Sequence, residues 1–144
     1  MKVSTIRLKQ FRNQKNNKYK LSKKTVITGN NGVGKTTILE AIRIVSVGKS
    51  FKTSRFDDLI EFDKNYFQVS LRRGKDLFEY FYGTQFEENP VIDRQLSINN
   101  QKQGYLEFLG KFPSVSFSPK DVDIITGQPG LRRQFIDSIL WQAR

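Results

Sequence analysis

The sequence predicts an α/β fold: a strand, a glycine-rich phosphate loop and a helix, joined to an antiparallel β-meander and C-terminal helices. Three observations lead there. A run of four β-branched residues, Thr25-Val26-Ile27-Thr28, passes directly into Gly29–Thr36, GNNGVGKT. That loop opens a segment whose apolar residues recur with helical spacing to Val47. Further on, Tyr66–Arg72, Leu77–Tyr82 and Val91–Ile98 read as strands, punctuated by Gly74, Gly83 and Pro90.

Each element has its own local reason. Val3–Leu8 alternates, with Ser4, Ile6 and Leu8 on one side and Val3, Thr5 and Arg7 on the other, as a strand does. Polar Asn13–Lys18 reads as a turn and Tyr19–Leu21 as a short returning strand. The run Thr25–Thr28 has the composition of a compact buried strand. The helix from about Lys35 to Val47 is apolar on most of its circumference, which predicts packing inside the fold, and Gly48 can end it. A short helix is expected at Phe56–Ile60, another at Tyr105–Leu109, and a strand at Ser114–Phe117. Ser118-Pro119 starts a helix with proline at its first position. Gly127-Gln128-Pro129-Gly130 breaks it, and Leu131–Ala143 forms the last helix. Phe135, Ile136, Ile139, Leu140 and Trp141 give that helix a broad apolar face in need of cover. With no cap before Arg144, the chain reads as one cut inside a larger protein.

Composition narrows the chemistry. The chain has 144 residues, enough for one domain, and its twelve Phe supply apolar bulk that a hydrophobic content of 37% alone would not. There is no Cys and no His, which removes disulfides, thiolate–metal sites and the common zinc and haem ligand sets. No apolar h-region follows Met1, and the apolar stretch Ile38–Val47 is interrupted by Glu40 and Arg43. A soluble, cytoplasmic chain with no membrane partner is therefore expected. Net charge is +11 and unevenly spread: ten of the 25 basic residues precede the first acidic one, Glu40. From Glu40 onward, 15 basic residues face 14 acidic ones. Such a basic first third suits a polyanion, nucleic acid above all, or else is a solvated face that aids solubility.

The loop carries the most specific chemistry. Gly29, Gly34, Lys35 and Thr36 satisfy GxxxxGK(S/T), with Asn30, Asn31, Gly32 and Val33 between them and Thr37 following. Glycines let the backbone wrap closely around phosphates, and the helix start presents unpaired N–H groups to the anion. Lys35 is then placed for the β- and γ-phosphates of ATP, and the Thr36 hydroxyl for Mg²⁺. Machinery for hydrolysis is not visible. Asp57-Asp58 precede Leu59-Ile60, the wrong order for a Walker B strand, and Asp121, Asp123 and Asp137 sit in helical patterns. No LSGG-like signature segment occurs either.

Four further segments resemble the RecF family, the bacterial recombination-mediator ATPases related to SMC and ABC heads. They are Leu8–Asn13 (LKQFRN), Asn31–Ile42 (NGVGKTTILEAI), Gly48–Thr53 (GKSFKT) and Phe117–Asp137 (FSPKDVDIITGQPGLRRQFID). The last is the most specific. Lys120 stands where an acidic residue is usual, and Thr37 where Asn is common. The resemblance implies a P-loop ABC/SMC-type ATPase lobe, the N-terminal part of a head over residues 1–144, with signature and Walker B segments downstream. It implies a homodimer closing on ATP, duplex DNA clamped near single-strand gaps, and work with RecR and RecO proteins to load RecA in repair, replication and the SOS response. It places Arg12 and Asn13 beside the nucleotide. Lys49, Lys52 and Arg55, with the basic first third, are the candidate DNA surface. Arg132-Arg133 reads either as a phosphate contact or as a structural pair. Two rival readings are a small P-loop phosphotransferase, such as a nucleotide kinase, and another SMC-like head.

Overall fold

The computed structural model describes residues 3–84, 92–117 and 119–142. Six strands form one antiparallel sheet in the order β2-β1-β3-β4-β5-β6. They are β1 (Val3–Phe11), β2 (Gln14–Lys20), β3 (Tyr66–Arg73), β4 (Asp76–Gly83), β5 (Asp93–Ile98) and β6 (Gln101–Lys102). Helix α1 (Lys35–Val47) lies against β1, β3 and β4, and the short α2 (Tyr105–Phe108) against β5. The remaining helices are α3 (Asp123–Thr126) and α4 (Pro129–Gln142), and a 3₁₀ turn covers Phe56–Leu59.

One face of the sheet is the core face, set by the two-residue period of the strands. Ile6 and Leu8 of β1, Phe67, Val69 and Leu71 of β3, and Phe78 and Tyr80 of β4 all bury against Ile38, Ala41, Ile44 and Val45 of α1. Aromatic contacts tie this layer together. Phe11 meets Phe67 edge-on with centroids 5.1 Å apart, and Phe78 meets Phe112 at 5.5 Å. Burial pushes the Tyr80 phenol up, and burial together with a hydrogen bond to Asp57 does the same for Tyr82.

Two backbone irregularities in β1 adjust its faces. A register shift between Val3 and Thr5 lets Val3 rejoin the core. Gln10 has φ 52°, which interrupts the alternation so that Leu8 and Phe11, three residues apart, are both buried. The β1–β2 connection is therefore shorter than the sequence predicts: Phe11 pairs with Gln14, leaving Arg12-Asn13 as a two-residue turn. Most of the expected turn Asn13–Lys18 is an edge strand whose lysines and asparagines stay in water, the usual protection of a sheet edge. A second tight turn at Asn99-Asn100, with φ 52° and 65°, makes the unpredicted strand β6.

Two predicted strands are absent. Thr25–Thr28 adopts no strand and leaves Val26 86% exposed; Ser114–Phe117 likewise leaves Val115 and Phe117 in water. Both flanks of β1 are taken by β2 and β3, and no described strand lies beside either segment. The strand–loop–helix core is thus a loop and helix without a paired strand. Ser118, the expected helix start, lies outside the described residues, as do Val91 and Arg144. The helix after it is split, a 3₁₀ turn over Pro119–Val122 and then α3. Helix α4 begins at Pro129, inside the segment expected to be a break, with proline at its first position. Phe135, Ile136, Ile139 and Leu140 of α4 remain exposed. Arg132 donates to the carbonyls of Ile124 and Ile125, which ties α4 to α3 in the structural sense of the Arg132-Arg133 pair.

Candidate functional site

Residues 29–37 form a loop that enters α1. Gly29, Gly32 and Gly34 have φ of 146°, 84° and 102°, the left-handed side of backbone space that side chains disfavour. At Gly34 an added Cβ would also lie 2.3 Å from Gln14 Nε2, so that amide would have to shift off the loop. Around Gly32 nothing lies within 4 Å of that position, so the loop is open on that side. The N–H groups of residues 30–37 meet no protein acceptor among the described residues; the first intrahelical bond is Ile38 N–H to Gly34 O, 3.3 Å. Those donors are what a bound anion would receive, aided by the positive end of the helix dipole.

Lys35 folds over the loop. Its ammonium donates to Gly29 O and Asn30 O, each at 2.7 Å. An ammonium has three N–H donors, so two hold the loop's first residues and the third is free for a phosphate. Asn31, Gly32, Val33 and Thr36 are exposed, whereas Thr37 is buried at the base of α1. The Thr36 hydroxyl, on the first turn of α1, is the oxygen donor suited to Mg²⁺ beside a phosphate. Among the described residues no group of three or more Asp, Glu, His or Cys could hold a metal by itself. Asp57 accepts from Tyr82 and Asp58 from Thr53, so both serve structure.

The β1–β2 turn grips this loop from behind. Asn13 Nδ2 donates to Gly32 O at 2.8 Å and Gln14 Nε2 to Val33 O at 3.3 Å. Gln14 is itself fixed: its Oε1 accepts from Asn17 and from the Tyr19 hydroxyl, and only 3% of the residue is exposed. Arg12 is directed onto α1, with Nε and Nη2 on the two oxygens of Glu40 at 2.6 and 2.8 Å. Glu40 is fully buried and also accepts from Ser50, whose Oγ in turn accepts from the backbone of Lys52 and Thr53. Arg12 thus anchors the turn and Asn13 touches the loop. Gln14 was missed by sequence reasoning, since a glutamine in a polar run carries no signal until the hairpin places it against Val33.

Asn13→Ala removes one bond to the loop from an exposed residue. A net hydrogen bond of about 1 kcal/mol predicts roughly fivefold weaker ATP binding with folding unchanged. Calorimetric titration beside a thermal melt checks this, and equal affinity would remove Asn13 from the loop's support.

Lys49, Lys52 and Arg55 are all exposed in the segment after α1, and Arg55 lies 4.0 Å from Asp58. They are not brought onto the loop by any described contact.

The AAA ATPase domain family matches residues 1–113. The DNA replication and repair protein RecF of Caldanaerobacter subterraneus subsp. tengcongensis is 37% identical over 97% of this chain, and that of Chlamydia muridarum 36% over 99%. The chain spans 39% of the length of each. Among solved structures, the recombination mediator RecF-ATPrS of the RecFOR pathway superposes with TM-score 0.87 and 31% identity over 99% of this chain. The corresponding RecF-ATP structure gives 0.82 and 32% over 96%. In both the match covers 39% of that chain.

Proposed function

We propose a function on the premise that this chain belongs to the AAA ATPase domain family and is a relative of RecF. It binds ATP through Gly29–Thr37 and forms the N-terminal lobe of an ATP-gated DNA-binding protein of recombinational repair. The observation that carries this reading is the loop itself: unpaired amides at the mouth of α1 beneath an ammonium held by two loop carbonyls. Mg²⁺ joins through Thr36 and the nucleotide. Arg12 acts as an anchor and Asn13 as a support, with neither required to touch ATP.

The wider role follows the relatives. A cytoplasmic homodimer closes on ATP, engages duplex DNA near single-strand gaps, and acts with RecR and RecO to load recombinase. Lys49, Lys52 and Arg55 contribute sequence-independent backbone contacts. Among the described residues no helix is long and apolar enough to cross a membrane. In this reading the chain alone binds ATP weakly and turns it over little, because a signature segment and a Walker B carboxylate come from elsewhere.

Titration of the chain with ATP, with and without Mg²⁺, tests the proposal. Binding that strengthens with Mg²⁺, with phosphate release near background, is expected. Absent binding, or transfer of phosphate to a small acceptor, overturns it.

A further inference from the structure

The antiparallel register gathers basic residues on one face of the sheet. Arg7 pairs with Lys18, Thr5 with Lys20, and Lys9 with Asn16 across β1 and β2. On the other flank of β1, Thr5 pairs with Arg72 and Arg7 with Ser70. Paired residues share a face, and that face is opposite the one bearing Ile6, Leu8, Val69 and Leu71. Arg7, Lys9, Lys18, Lys20 and Arg72 therefore stand together on the open side, away from α1. Arg7, Lys18, Lys20 and Arg72 are exposed, while Lys9 is half-buried with its ammonium 5.2 Å from the Tyr66 ring centroid.

None of the five is in an ion pair among the described residues. The carboxylate of this face that reaches nearest, Glu79 on β4, is occupied by hydrogen bonds from Gln68, Ser70 and Ser97. Cations concentrate over β2, β1 and the end of β3, while the same cross-strand row continues through Glu79 on β4 to a single cation, Lys102, on the edge strand β6. Neighbouring strands are about 4.8 Å apart and alternate residues about 6.7 Å, so the cations lie close together. Arg7 donates to Asn16 and Lys9 lies over the Tyr66 ring, but no carboxylate pairs with them among the described residues.

We infer that this open sheet face is a docking surface for the sugar-phosphate backbone of nucleic acid, additional to the segment bearing Lys49, Lys52 and Arg55. This rests on the DNA-binding reading above but not on the phosphate loop. A row of closely spaced phosphates supplies the counter-charge that the face lacks. Between the cations stand the Thr5 hydroxyl and the Asn16 amide nitrogen, donors suited to phosphate and sugar oxygens, while Gln68 and Ser70 are held by Glu79. A membrane fits less well. None of the exposed large apolar side chains among the described residues lies on β1, β2, β3 or β4, so nothing there would enter a bilayer.

The test uses the 144-residue chain and a fluorescein-labelled oligonucleotide, single-stranded and duplex, followed by anisotropy over a range of KCl. The triple variant Arg7→Gln, Lys18→Gln, Lys20→Gln is compared with Lys49→Gln, Lys52→Gln, Arg55→Gln. The sheet-face variant is expected to lose roughly tenfold or more in affinity at low salt. Its log–log salt slope on duplex should flatten by about 2 to 3, near 0.9 for each phosphate no longer neutralised. Thr5→Lys, which adds a cation between Lys20 and Arg72, should steepen the slope by about one. Wild-type affinity and slope in the triple variant overturn the inference. So does a loss of binding to phosphatidylserine vesicles or polyglutamate with oligonucleotide binding intact. A parallel ATP titration separates the readings: failure to bind ATP removes the proposed lobe function and leaves the oligonucleotide result standing.

Discussion

Lys35→Ala is expected to weaken ATP binding by about a hundredfold or more. The ammonium makes a charge-assisted contact to phosphate, worth about 1.5–3 kcal/mol, which is one to two powers of ten in Kd. It also supplies two bonds that close the loop, to Gly29 O and Asn30 O. Removing it leaves the loop to be ordered by the nucleotide, at a further entropic cost. Lys35→Glu should be worse, since a carboxylate would face the phosphates. Lys35→Arg should not restore binding, because a planar guanidinium cannot place compact donors toward two carbonyls and a phosphate together. Lys23→Ala and Lys24→Ala are the controls for net charge. Both are exposed and precede the loop, and each should change Kd by less than about twofold once salt screens them. Calorimetry or a fluorescent ATP analogue reads the difference. Similar losses for Lys35 and the controls would reduce the loop's role to bulk electrostatics.

Breaking the Arg12–Glu40 pair should have the largest effect on stability. Glu40 is fully buried in α1, and 23% of the Arg12 side chain is exposed. Their bidentate contact offsets the desolvation of both charges, so losing one partner strands the other. Arg12→Ala or Glu40→Ala should each cost about 3–5 kcal/mol. A domain stable by about 5–15 kcal/mol would lose a large part of that. Glu40→Gln keeps the shape and one acceptor, and should cost less. The double variant Arg12→Met, Glu40→Leu removes both charges and should recover most of the loss, since apolar replacement of a buried pair is often neutral. Urea denaturation of the four variants measures this. Single variants costing under about 1 kcal/mol would mean the pair is wetter than its burial implies. Because Arg12 also positions Asn13, these variants should weaken ATP binding even where the protein remains folded.

Both effects come from one arrangement. Arg12 holds the hairpin to the helix, Asn13 and Gln14 hold the hairpin to the loop, and Lys35 holds the loop to itself. The resemblance places Arg12 and Asn13 beside the nucleotide, and the structure gives both of them protein partners. Arg12 donates to Glu40 and to the Asp58 carbonyl, and Asn13 donates to Gly32 O and accepts from Gln14, so the pair splits into an anchor and a support.

Local chemistry settled much of this protein before any contact was known. The P-loop needs glycines, a lysine and a helix start at fixed spacing, and all are consecutive in the chain. The meander strands and α1 were equally legible, because periods of two and of about 3.6 are written in neighbouring residues. What the sequence could not decide were the relations between distant segments. Thr25–Thr28 has strand composition, yet a strand exists only where another offers its backbone, and no described segment does so. Gln14 became a support for the loop, and Arg7, Lys18 and Arg72 became one surface, only through hairpin register and sheet order. Propensity is a property of adjacent residues, whereas hydrogen-bond pairing, burial and shared charge depend on partners far along the chain, as in the Ser4–Arg72 contact across 68 positions.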